Sequence, residues 1–298
     1  MRNILPTLRG SLTTFLLILN TLFWSPILFF FTFLKLLVPI KKFRVMCNWM
    51  LDRIANSWIR CNNLGLKLTR KIRWEVHGTE TLTKDKWYLV ISNHQTWSDI
   101  VVLQKIFLGK IPFLKFFLKK ELMWVPVLGP AWWALDFPFM KRYSKALLEK
   151  KPHLKGKDIE ITKRACAKFK HIPVSIMNFV EGTRFTHEKH RYQESPYRNL
   201  LRPKSGGIGF VFSTMGEQLS SILNVTIAYP GGPYTFWDFM CGRVHEVLVD
   251  VEELPIGENL VGDYVNDAAY RDNFQRWVNG LWQEKDEKID RMLGREKP

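Results

Sequence analysis

Cysteine is scarce in this sequence. Its 298 residues include only four cysteines, Cys47, Cys61, Cys166 and Cys241, and no two of them form a C-x-x-C pair. Disulfide-stapled domains and cysteine-based zinc sites both need cysteines at close, regular spacings. The sequence therefore excludes a disulfide scaffold and a zinc cluster of that type, and its cysteine usage is typical of a protein from a reducing compartment.

Acidic residues are few in comparison with basic ones. The chain has 44 Lys and Arg against 28 Asp and Glu, a formal net charge of +16 at pH 7. Residues 151–204 hold 13 basic and five acidic residues, whereas residues 244–298 hold seven basic and 13 acidic ones. Such a positive field attracts nucleic acid, anionic lipid headgroups or phosphorylated metabolites. Because no RNA-binding aromatic pattern, C2H2 zinc-finger spacing or basic heptad region is present, nucleic acid is disfavoured as a partner.

Charge is missing altogether from one long stretch. Arg9 and Lys35 enclose 25 uncharged residues, GSLTTFLLILNTLFWSPILFFFTFL. As one helix they would extend about 37 Å, more than the roughly 30 Å hydrocarbon core of a bilayer. They lack the short apolar region and the small-residue cleavage site of a signal peptide. We therefore predict a retained membrane anchor in residues 1–45, rather than a helix buried in a soluble core.

The form and the orientation of this anchor depend on the residues in and after it. Pro26 interrupts the run near its middle, which leaves two alternatives: one kinked helix, or a helical hairpin that enters a single leaflet. The larger basic cluster follows the run and consists of Lys35, Lys41, Lys42 and Arg44. By the positive-inside rule, the domain that follows the anchor is expected on the cytoplasmic face.

Beyond residue 70, short apolar runs alternate with helical patterns. The predicted strands are residues 72–77, 87–92, 174–180 and 222–229, and the predicted helices are 98–108, 157–170 and 206–219. This alternation predicts an α/β domain over residues 70–298, with a largely parallel or mixed sheet flanked by helices. A closing amphipathic helix over residues 267–293 is expected to pack on the sheet, and we assign it no chemistry.

The stretch WYLVISNHQTWSDI, residues 87–100, delivers a histidine at the end of a predicted strand. His94 would lie in the turn, with Asp99 in the first turn of the next helix. A carboxylate there can fix the tautomer of the imidazole and stabilise its protonated form, so that the other nitrogen acts as a base towards a hydroxyl. The alternative is a simple helix cap, in which Asp99 complements the helix dipole and His94 bonds locally.

A second polar turn follows the strand in NFVEGTRF, residues 178–185. Here Glu181, Gly182, Thr183 and Arg184 stand in sequence. The planar fork of Arg184 can bind a phosphate, Gly182 allows a close backbone approach, and Glu181 can bond a ligand hydroxyl or pair with Arg184. The alternative is an ordinary turn closed by an ion pair.

Two further groups stand at predicted element ends. In RPKSGG, Lys204 precedes a glycine-started helix whose N–H groups would favour an anion, although a capped helix with a solvated lysine explains the same pattern more simply. In VTIAYPGG, Pro230 ends a strand, where it either shapes a pocket wall or merely turns the chain.

Taken in order, four segments resemble the four motifs of the glycerolipid acyltransferase family, which includes the lysophosphatidic acid acyltransferases. They are NHQTWSD, then FMKR at 139–142, then FVEGTRF with KSGG, and last the strand that ends in Pro230. The resemblance covers roughly residues 70–235 and is nearest to the bacterial inner-membrane branch. Val180 stands where that family more often has proline, and Lys141 stands beside Arg142.

This resemblance implies an enzyme of the inner membrane that moves a fatty acyl group to a lysophospholipid hydroxyl. The donor would be acyl-CoA or acyl-acyl carrier protein, the first expected acceptor is lysophosphatidic acid, and no cofactor is implied. By motif position His94 would be the base and Asp99 its partner. Arg142, Glu181 and Arg184 would hold the glycerol phosphate of the acceptor, and Pro230 would line the site.

Absent motifs narrow the mechanism further. There is no G-x-S-x-G elbow and no cysteine beside a histidine in a nucleophile motif, so we expect direct transfer without a covalent acyl-enzyme. HEKH, residues 187–190, lacks the spacing of two metal ligands on one helix face and is expected in a charged loop, so no metal is predicted. Residues 111–140, rich in Phe, Trp, Leu and Pro, form either an acyl-chain wall or membrane-facing surface, or else ordinary core.

Two hypotheses from other classes stay open at this stage. One is a noncatalytic protein of the membrane surface whose positive face binds anionic lipid. The other is a lipid hydrolase that uses the same histidine with water in place of an acceptor hydroxyl.

Overall fold

The computed structural model describes residues 4–140, 169, 173–264 and 266–295, and it begins with two long helices. Helix α1 spans Ile4–Leu37, contains Pro26 in its interior and is followed after three residues by helix α2, Lys41–Thr69. The uncharged run thus lies within a single helix, about 51 Å long at 1.5 Å per residue.

Few residues of helix α1 are buried. In its most apolar window of 18 residues only 6% of the residues are buried. A helix in the core of a soluble protein would be mostly buried, so α1 does not fit that alternative. By length and composition it can cross a membrane, which supports membrane association of the chain.

Polar side chains join α1 to α2. The Asn20 amide Nδ2 donates to the carbonyl oxygen of Trp58 at 2.9 Å and to Asn62 Oδ1 at 2.7 Å. The Trp58 indole nitrogen donates to Thr21 Oγ1 at 3.1 Å. Polar groups that bond to each other in this way can join two apolar helices where the hydrophobic effect between them is weak.

The remaining described elements form an α/β domain. The strands are β1 Arg73–His77, β2 Tyr88–Ser92, β3 Leu114–Phe116, β4 Leu118–Lys119, β5 Phe139–Met140, β6 Ser175–Phe179, β7 Ser221–Ala228 and β8 Glu246–Leu254. The further α-helices are α3 Ser98–Phe107, α4 Leu128–Ala134, α5 His187–Tyr192, α6 Gly206–Met215, α7 Phe236–Met240 and α8 Ala268–Met292.

Six of these strands form one mixed sheet in the order β1-β8-β7-β2-β6-β3. Strands β7, β2, β6 and β3 are parallel to one another, β8 is antiparallel to β7, and β1 is parallel to β8. Strands β4 and β5 form a separate parallel pair. The predicted fold class, a largely parallel or mixed sheet flanked by helices, is confirmed.

Strand β2 lies at the centre of the core and is buried on both faces. Tyr88 and Val90 face the apolar layer beneath α1 to α4, whereas Leu89 and Ile91 face the layer formed with α6 and α8. This double burial explains the unbroken apolar run that precedes His94, since a strand covered on both sides needs no polar alternation. The carboxyl ends of β2, β6 and β7 meet at one edge of the sheet.

The predicted elements match the structure closely where it describes them. The predicted helix 157–170 lies outside the described residues except for position 169. The predicted loop at HEKH is wrong, because His187–Tyr192 form the short helix α5. Its start is capped by Thr186, whose Oγ1 accepts from the amide of Lys189 at 3.2 Å, and Glu188 lies in its first turn.

Candidate active site

His94 lies in the turn between β2 and α3, with its imidazole directed at Asp99. His94 Nδ1 and Asp99 Oδ2 are 2.8 Å apart. The side chain of His94 is 9% exposed and that of Asp99 is fully buried. The structure therefore brings together the two residues that the spacing pointed to, at the carboxyl edge of the sheet where α/β proteins bind ligands.

The remaining bonds of Asp99 fix the tautomer of His94. Asp99 Oδ2 also accepts from the backbone amides of Gln95 at 2.7 Å and Thr96 at 2.9 Å, while Oδ1 accepts from the Tyr229 hydroxyl at 2.7 Å. An ionised carboxylate only accepts hydrogen bonds, so Nδ1 must carry a proton and donate it. In neutral His94 the other nitrogen, Nε2, is then an acceptor, which is the state that a general base needs.

Aromatic rings hold the imidazole on both sides of the turn. The ring of Phe179, the last residue of β6, stacks on His94 with centroids 3.8 Å apart and an interplanar angle of 12°. Trp97 meets His94 edge-on at 6.2 Å. Within the described part of the chain, no hydrogen-bond partner contacts His94 Nε2. The imidazole is thus fixed through Nδ1 and through its faces, and Nε2 is left without a partner among the described residues.

Asn93 explains how the chain leaves the sheet just before His94. Its side-chain amide donates to the carbonyl of Ile227 at 2.8 Å, and its Oδ1 accepts from the amide of Ile227 at 2.9 Å. The side chain thus replaces the next backbone step of the ladder between β2 and β7, whose last paired residues are Ser92 and Val225. Strand β2 can therefore turn away without leaving the β7 backbone groups unpaired.

Glu181 lies behind the turn that carries His94 and not at its open side. It is fully buried; Oε1 accepts from the amide of His94 at 2.9 Å and Oε2 from the amide of Leu201 at 3.1 Å. Burial raises the pKa of Glu181 to about 8, against the opposing effect of these two hydrogen bonds. The expected pairing with Arg184 is absent among the described residues. Glu181 acts as a brace for two turns, a correction to its predicted contact with the acceptor.

The other residues of the EGTR turn face outward. Gly182 has φ +70°, a conformation that favours glycine, and its amide donates to the carbonyl of Phe179 at 2.9 Å. Thr183 Oγ1 accepts from Lys189 Nζ at 2.8 Å. Arg184 is exposed, and its guanidinium lies 4.8 Å from the ring centroid of Trp97. Since Trp97 also touches His94, the turn presents a cation close to the imidazole.

The last predicted site residues have different positions. Lys204 is exposed, and its amide donates to the carbonyl of Val180 at 2.8 Å, which places it beside the EGTR turn. Pro230 is half-buried and follows Tyr229, the residue that contacts Asp99. Arg142 lies outside the described residues. Val180 itself donates its amide to Ser92 O at 3.4 Å, a bond that a proline at this position would lack.

An apolar path leads away from the imidazole. Phe116 lies 6.2 Å from Phe179 and 6.4 Å from Phe137, which in turn lies 6.0 Å from Phe113. Phe113 and Phe137 line a cavity of about 60 Å³ between α1, α2 and α4. Parts of residues 111–140 therefore belong to the core and line an apolar cavity, and the use of this segment as an acyl-chain wall stays a prediction.

Three contributors to the site were missed in the sequence: Asn93, Phe179 and Tyr229. Each stands at the carboxyl end of a parallel strand, next to a predicted site residue. That shared position was the available signal, because the ends of neighbouring parallel strands meet at one sheet edge. Its use requires the strand order, which places β6 and β7 on either side of β2. Among the described residues, no group of three or more His, Cys, Asp and Glu is arranged to hold a metal ion.

Comparison with known proteins gives a consistent result. The model of the Acyltransferase family matches residues 73–228, which is more than half of the chain and includes His94, Asp99 and the EGTR turn. A crystal structure of the 1-acyl-sn-glycerophosphate (LPA) acyltransferase PlsC from Thermotoga maritima is 20% identical, with a TM-score of 0.54 over 97% of this chain and 98% of that one. At this identity the likeness concerns the fold alone.

Three curated relatives cover different shares of the chain. An acyltransferase of Saccharomyces cerevisiae without an assigned activity is 22% identical over 290 residues, 84% of this chain and 69% of that protein. The mouse 1-acyl-sn-glycerol-3-phosphate acyltransferase gamma is 24% identical over 189 residues, which cover 60% of this chain and 45% of that protein. A yeast 2-acyl-1-lysophosphatidylinositol acyltransferase is 22% identical over 254 residues, which cover 68% of this chain and 60% of that protein. The matches thus span less than half of the mouse protein and about two thirds of the yeast ones.

Proposed function

Because the chain belongs to the Acyltransferase family, we propose that it moves a fatty acyl group from a thioester donor to the hydroxyl of a lysophospholipid. The donor is acyl-CoA or acyl-acyl carrier protein. The first candidate for the acceptor is lysophosphatidic acid, which would become phosphatidic acid, and the name of the mouse relative supports this choice. The single observation that carries the proposal is the His94–Asp99 pair, with Nδ1 protonated and Nε2 unoccupied.

In the proposed reaction His94 acts as a general base. Nε2 removes the proton from the acceptor hydroxyl as its oxygen attacks the thioester carbonyl, and Asp99 stabilises the imidazolium that results. The tetrahedral intermediate then expels the thiolate, which takes the proton back from Nε2. The ester bond forms, the thioester bond breaks, and no proton is left over.

No covalent intermediate on the protein is needed. A Ser, Thr or Cys nucleophile activated by His94 would lie within hydrogen-bond distance of Nε2. In the ranges that the structure describes, none does so, and the three cysteines in those ranges are bonded to no histidine. The direct attack of the acceptor hydroxyl is therefore the simpler course.

The phosphate of the acceptor is assigned to the cationic side of the turn. Arg184 is exposed beside Trp97 and offers a planar fork that suits a phosphate. Lys204 is also exposed and lies next to the same turn. We include Arg142 and Pro230 in the acceptor site by motif position, while Glu181 supports the site from behind.

The membrane placement is part of the proposal. We assign residues 1–45 to the anchor and residues 70–298 to the acyltransferase domain, with the latter on the cytoplasmic face of an inner membrane. The exposed apolar surface of α1 and the basic residues after it support this arrangement. A lipid acceptor and the long acyl chain of the product are both membrane components, so an enzyme held at the surface can reach them without extracting them into water.

An acyl-transfer assay in membranes, comparing wild type with His94→Ala, tests the function. The acceptors are lysophosphatidic acid, lysophosphatidylinositol and lysophosphatidylcholine, each with acyl-CoA and with acyl-acyl carrier protein. We expect transfer to lysophosphatidic acid by the wild type, a loss of about 10²–10⁴-fold in His94→Ala, and unchanged membrane association of the variant.

The controls separate the rival functions. His190→Ala is the matched histidine control, because His190 lies on α5 and its Nε2 contacts the carbonyl of Tyr197 rather than a carboxylate. Free fatty acid released without an acceptor would point to a hydrolase. Transfer at wild-type rate by His94→Ala would overturn the assignment of the base.

A further inference from the structure

A second and larger cavity lies where the end of helix α1 meets the sheet. Its volume is about 390 Å³, which is within the range usual for small-molecule sites. Its described walls come from the α1–α2 connection, helix α2, strand β3, the end of α4 and the residues just before β6. None of these described lining residues belongs to the His94 turn or to the EGTR turn. The proposed function therefore leaves this cavity without a role.

The cavity lies at the far end of the apolar path from the imidazole. Phe179 stacks on His94, and Phe116 and Phe137 connect Phe179 to Phe113, which lines the cavity. In a lysophospholipid acceptor the free hydroxyl and the phosphate belong to one glycerol unit. A head group bound in this cavity is therefore not that of the acceptor whose hydroxyl meets His94.

The buried charges of the cavity balance one another. Lys35 and Asp136 form an ion pair at 3.0 Å. Lys115 is 9% exposed, and its ammonium donates to the carbonyl of Leu135 at 2.7 Å. Burial raises the pKa of Asp52, an effect that Asp136 strengthens and that Lys115 and Lys35 oppose. Two cations thus face two carboxyl groups in the interior.

Two further cations line the cavity from helix α2. Lys41 and Arg44 are exposed, and neither belongs to an ion pair in the described part of the chain. They lie three residues apart, so their charged groups can reach the same ligand. This excess of positive charge attracts an anion, and the guanidinium of Arg44 suits a phosphate in particular.

Hydrogen-bond acceptors follow on the same face of α2. Asn48 and Asp52 line the cavity one and two turns beyond Arg44. The side-chain oxygen of Asn48 is buried without a hydrogen-bond donor, and the carboxyl of Asp52 accepts no hydrogen bond from the described residues. Leaving a buried acceptor without a donor costs free energy. Hydroxyl groups of a ligand would supply the missing donors.

An apolar surface adjoins the cavity. Leu36, Leu37 and Ile40, in and next to the α1–α2 connection, are 60%, 59% and 61% exposed. Phe113 and Leu135 line both this cavity and the apolar cavity of about 60 Å³. A lipid can therefore place its head group in the larger cavity while its chains cover apolar surface, which a free phosphate cannot do.

We propose that this cavity is a second lipid site, which binds the phosphate of an anionic phospholipid at Lys41 and Arg44 and a hydroxyl-bearing head group, such as glycerol, at Asn48 and Asp52. The bound lipid is a component of the membrane and takes no part in acyl transfer. The inference goes beyond the proposed function and does not depend on the role of His94.

Calorimetric titration of the full chain in a neutral detergent tests the inference. The probes are dihexanoyl phosphatidylglycerol and dihexanoyl phosphatidylmethanol, which carry the same charge, although only the first has free hydroxyl groups. Lys41→Gln combined with Arg44→Gln should weaken the binding of phosphatidylglycerol about tenfold or more, because charge-assisted hydrogen bonds to the phosphate are lost. The matched control combines Lys42→Gln with Arg53→Gln, which removes the same charge from α2 outside the cavity lining and should change the Kd less than about twofold. An equal loss in both double variants would overturn the inference.

The hydroxyl contacts are tested separately. The wild type should bind phosphatidylglycerol about three- to tenfold more tightly than phosphatidylmethanol, and Asn48→Leu should bind the two alike. Asn56→Leu, one turn beyond Asp52 and outside the lining, should keep the wild-type preference. Equal affinity of the wild type for both lipids would contradict the assigned head group.

Two more measurements identify the source of the phosphate and the place where it binds. Inorganic phosphate and glycerol 3-phosphate lack acyl chains and should bind about tenfold or more weakly than phosphatidylglycerol. Equal binding would indicate a site for a free phosphate and refute the lipid assignment. Arg184→Ala should keep the affinity for phosphatidylglycerol, and a loss there would place the probe in the proposed acceptor site instead. Acyl transfer by His94→Ala bears on the proposed function alone, so the two proposals can fail separately.

Discussion

The charge of Asp99 can be removed while its hydrogen bonds with His94 and with two backbone amides are kept and only the bond with Tyr229 is reversed, and Asp99→Asn therefore gives a sharp prediction. The oxygen of an asparagine side chain can take the place of Oδ2 and accept from the amides of Gln95 and Thr96, as well as from His94 Nδ1. Its NH2 group then takes the place of Oδ1 and donates to the Tyr229 hydroxyl oxygen, which can accept. The two backbone amides prevent the opposite orientation, so the tautomer of His94 is retained.

The size of the effect follows from the lost charge. A carboxylate and an imidazolium whose centres lie about 4 Å apart attract each other by roughly 4 kcal/mol at an effective dielectric constant of about 20. The neutral hydrogen bond that remains retains about 1 kcal/mol of this. A loss of about 3 kcal/mol in the transition state corresponds to roughly a 10²-fold fall in kcat. The KM values should change little, because Asp99 is buried and does not contact the substrate.

The measurement is a full kinetic comparison in vesicles, with donor and acceptor varied separately. Asp238→Asn is the control, because Asp238 also accepts hydrogen bonds at a helix start, on α7, and lies away from any histidine. A kcat of Asp99→Asn within about threefold of the wild type would refute the view that Asp99 stabilises a charged His94. A change confined to KM would refute the placement of Asp99 behind the base.

Three further predictions concern the surroundings of the pair. Tyr229→Phe removes the hydroxyl that donates to Asp99 Oδ1. It should lower the free energy of unfolding by about 1.5–3 kcal/mol and kcat by roughly tenfold, and thermal midpoint and kcat together check this. Arg184→Ala should raise the KM of phosphate-bearing acceptors about tenfold and leave the KM of the donor unchanged, with exposed Arg191→Ala as control; an effect on the donor alone would contradict the assignment. The pH dependence of stability should reflect two buried groups, the carboxyl of Glu181 and the ammonium of Lys285 on α8. Burial raises the pKa of Glu181 from 4.5 to about 8, so the contribution of Glu181 to stability falls as pH rises through that interval. Burial lowers the pKa of Lys285 from 10.5 to about 7, so the contribution of Lys285 to stability grows as pH rises from about 7 to 10.5. Lys285→Met should therefore abolish the rise in thermal midpoint on the alkaline side, and an unchanged alkaline profile would contradict this.

The parts of the site that the sequence predicted are those that depend on neighbours along the chain. His94 and Asp99 are five residues apart, and a strand, a turn and a helix start suffice to bring them together. Arg184 follows its glycine turn in the same way. The four predicted strands, which are β1, β2, β6 and β7, were placed within about one residue because each is a short apolar run with polar or glycine-containing ends, whereas β3, β4, β5 and β8 were not predicted.

The parts that the sequence did not predict depend on three segments meeting. Glu181 stands beside an arginine in the chain, which suggested an ion pair, yet its oxygens bind amides 87 and 20 residues away, at His94 and Leu201. Tyr229 reaches Asp99 across 130 residues. No local pattern marks such contacts, since they follow from the strand order and from the packing of α8.

Helix α8 is synthesised long after helix α1, because the two lie far apart in the sequence. The apolar helix α1 ends at Leu37, and Lys285 is added to the chain roughly 250 residues later, about 12–50 s at ribosomal rates of 5–20 residues per second. Throughout that interval α1 is already available to a bilayer, while the 198–201 segment lacks the contacts that Asp286 of α8 makes with it. The apolar helix α1 can therefore meet a lipid surface before the turn that carries His94 has all of its supporting contacts.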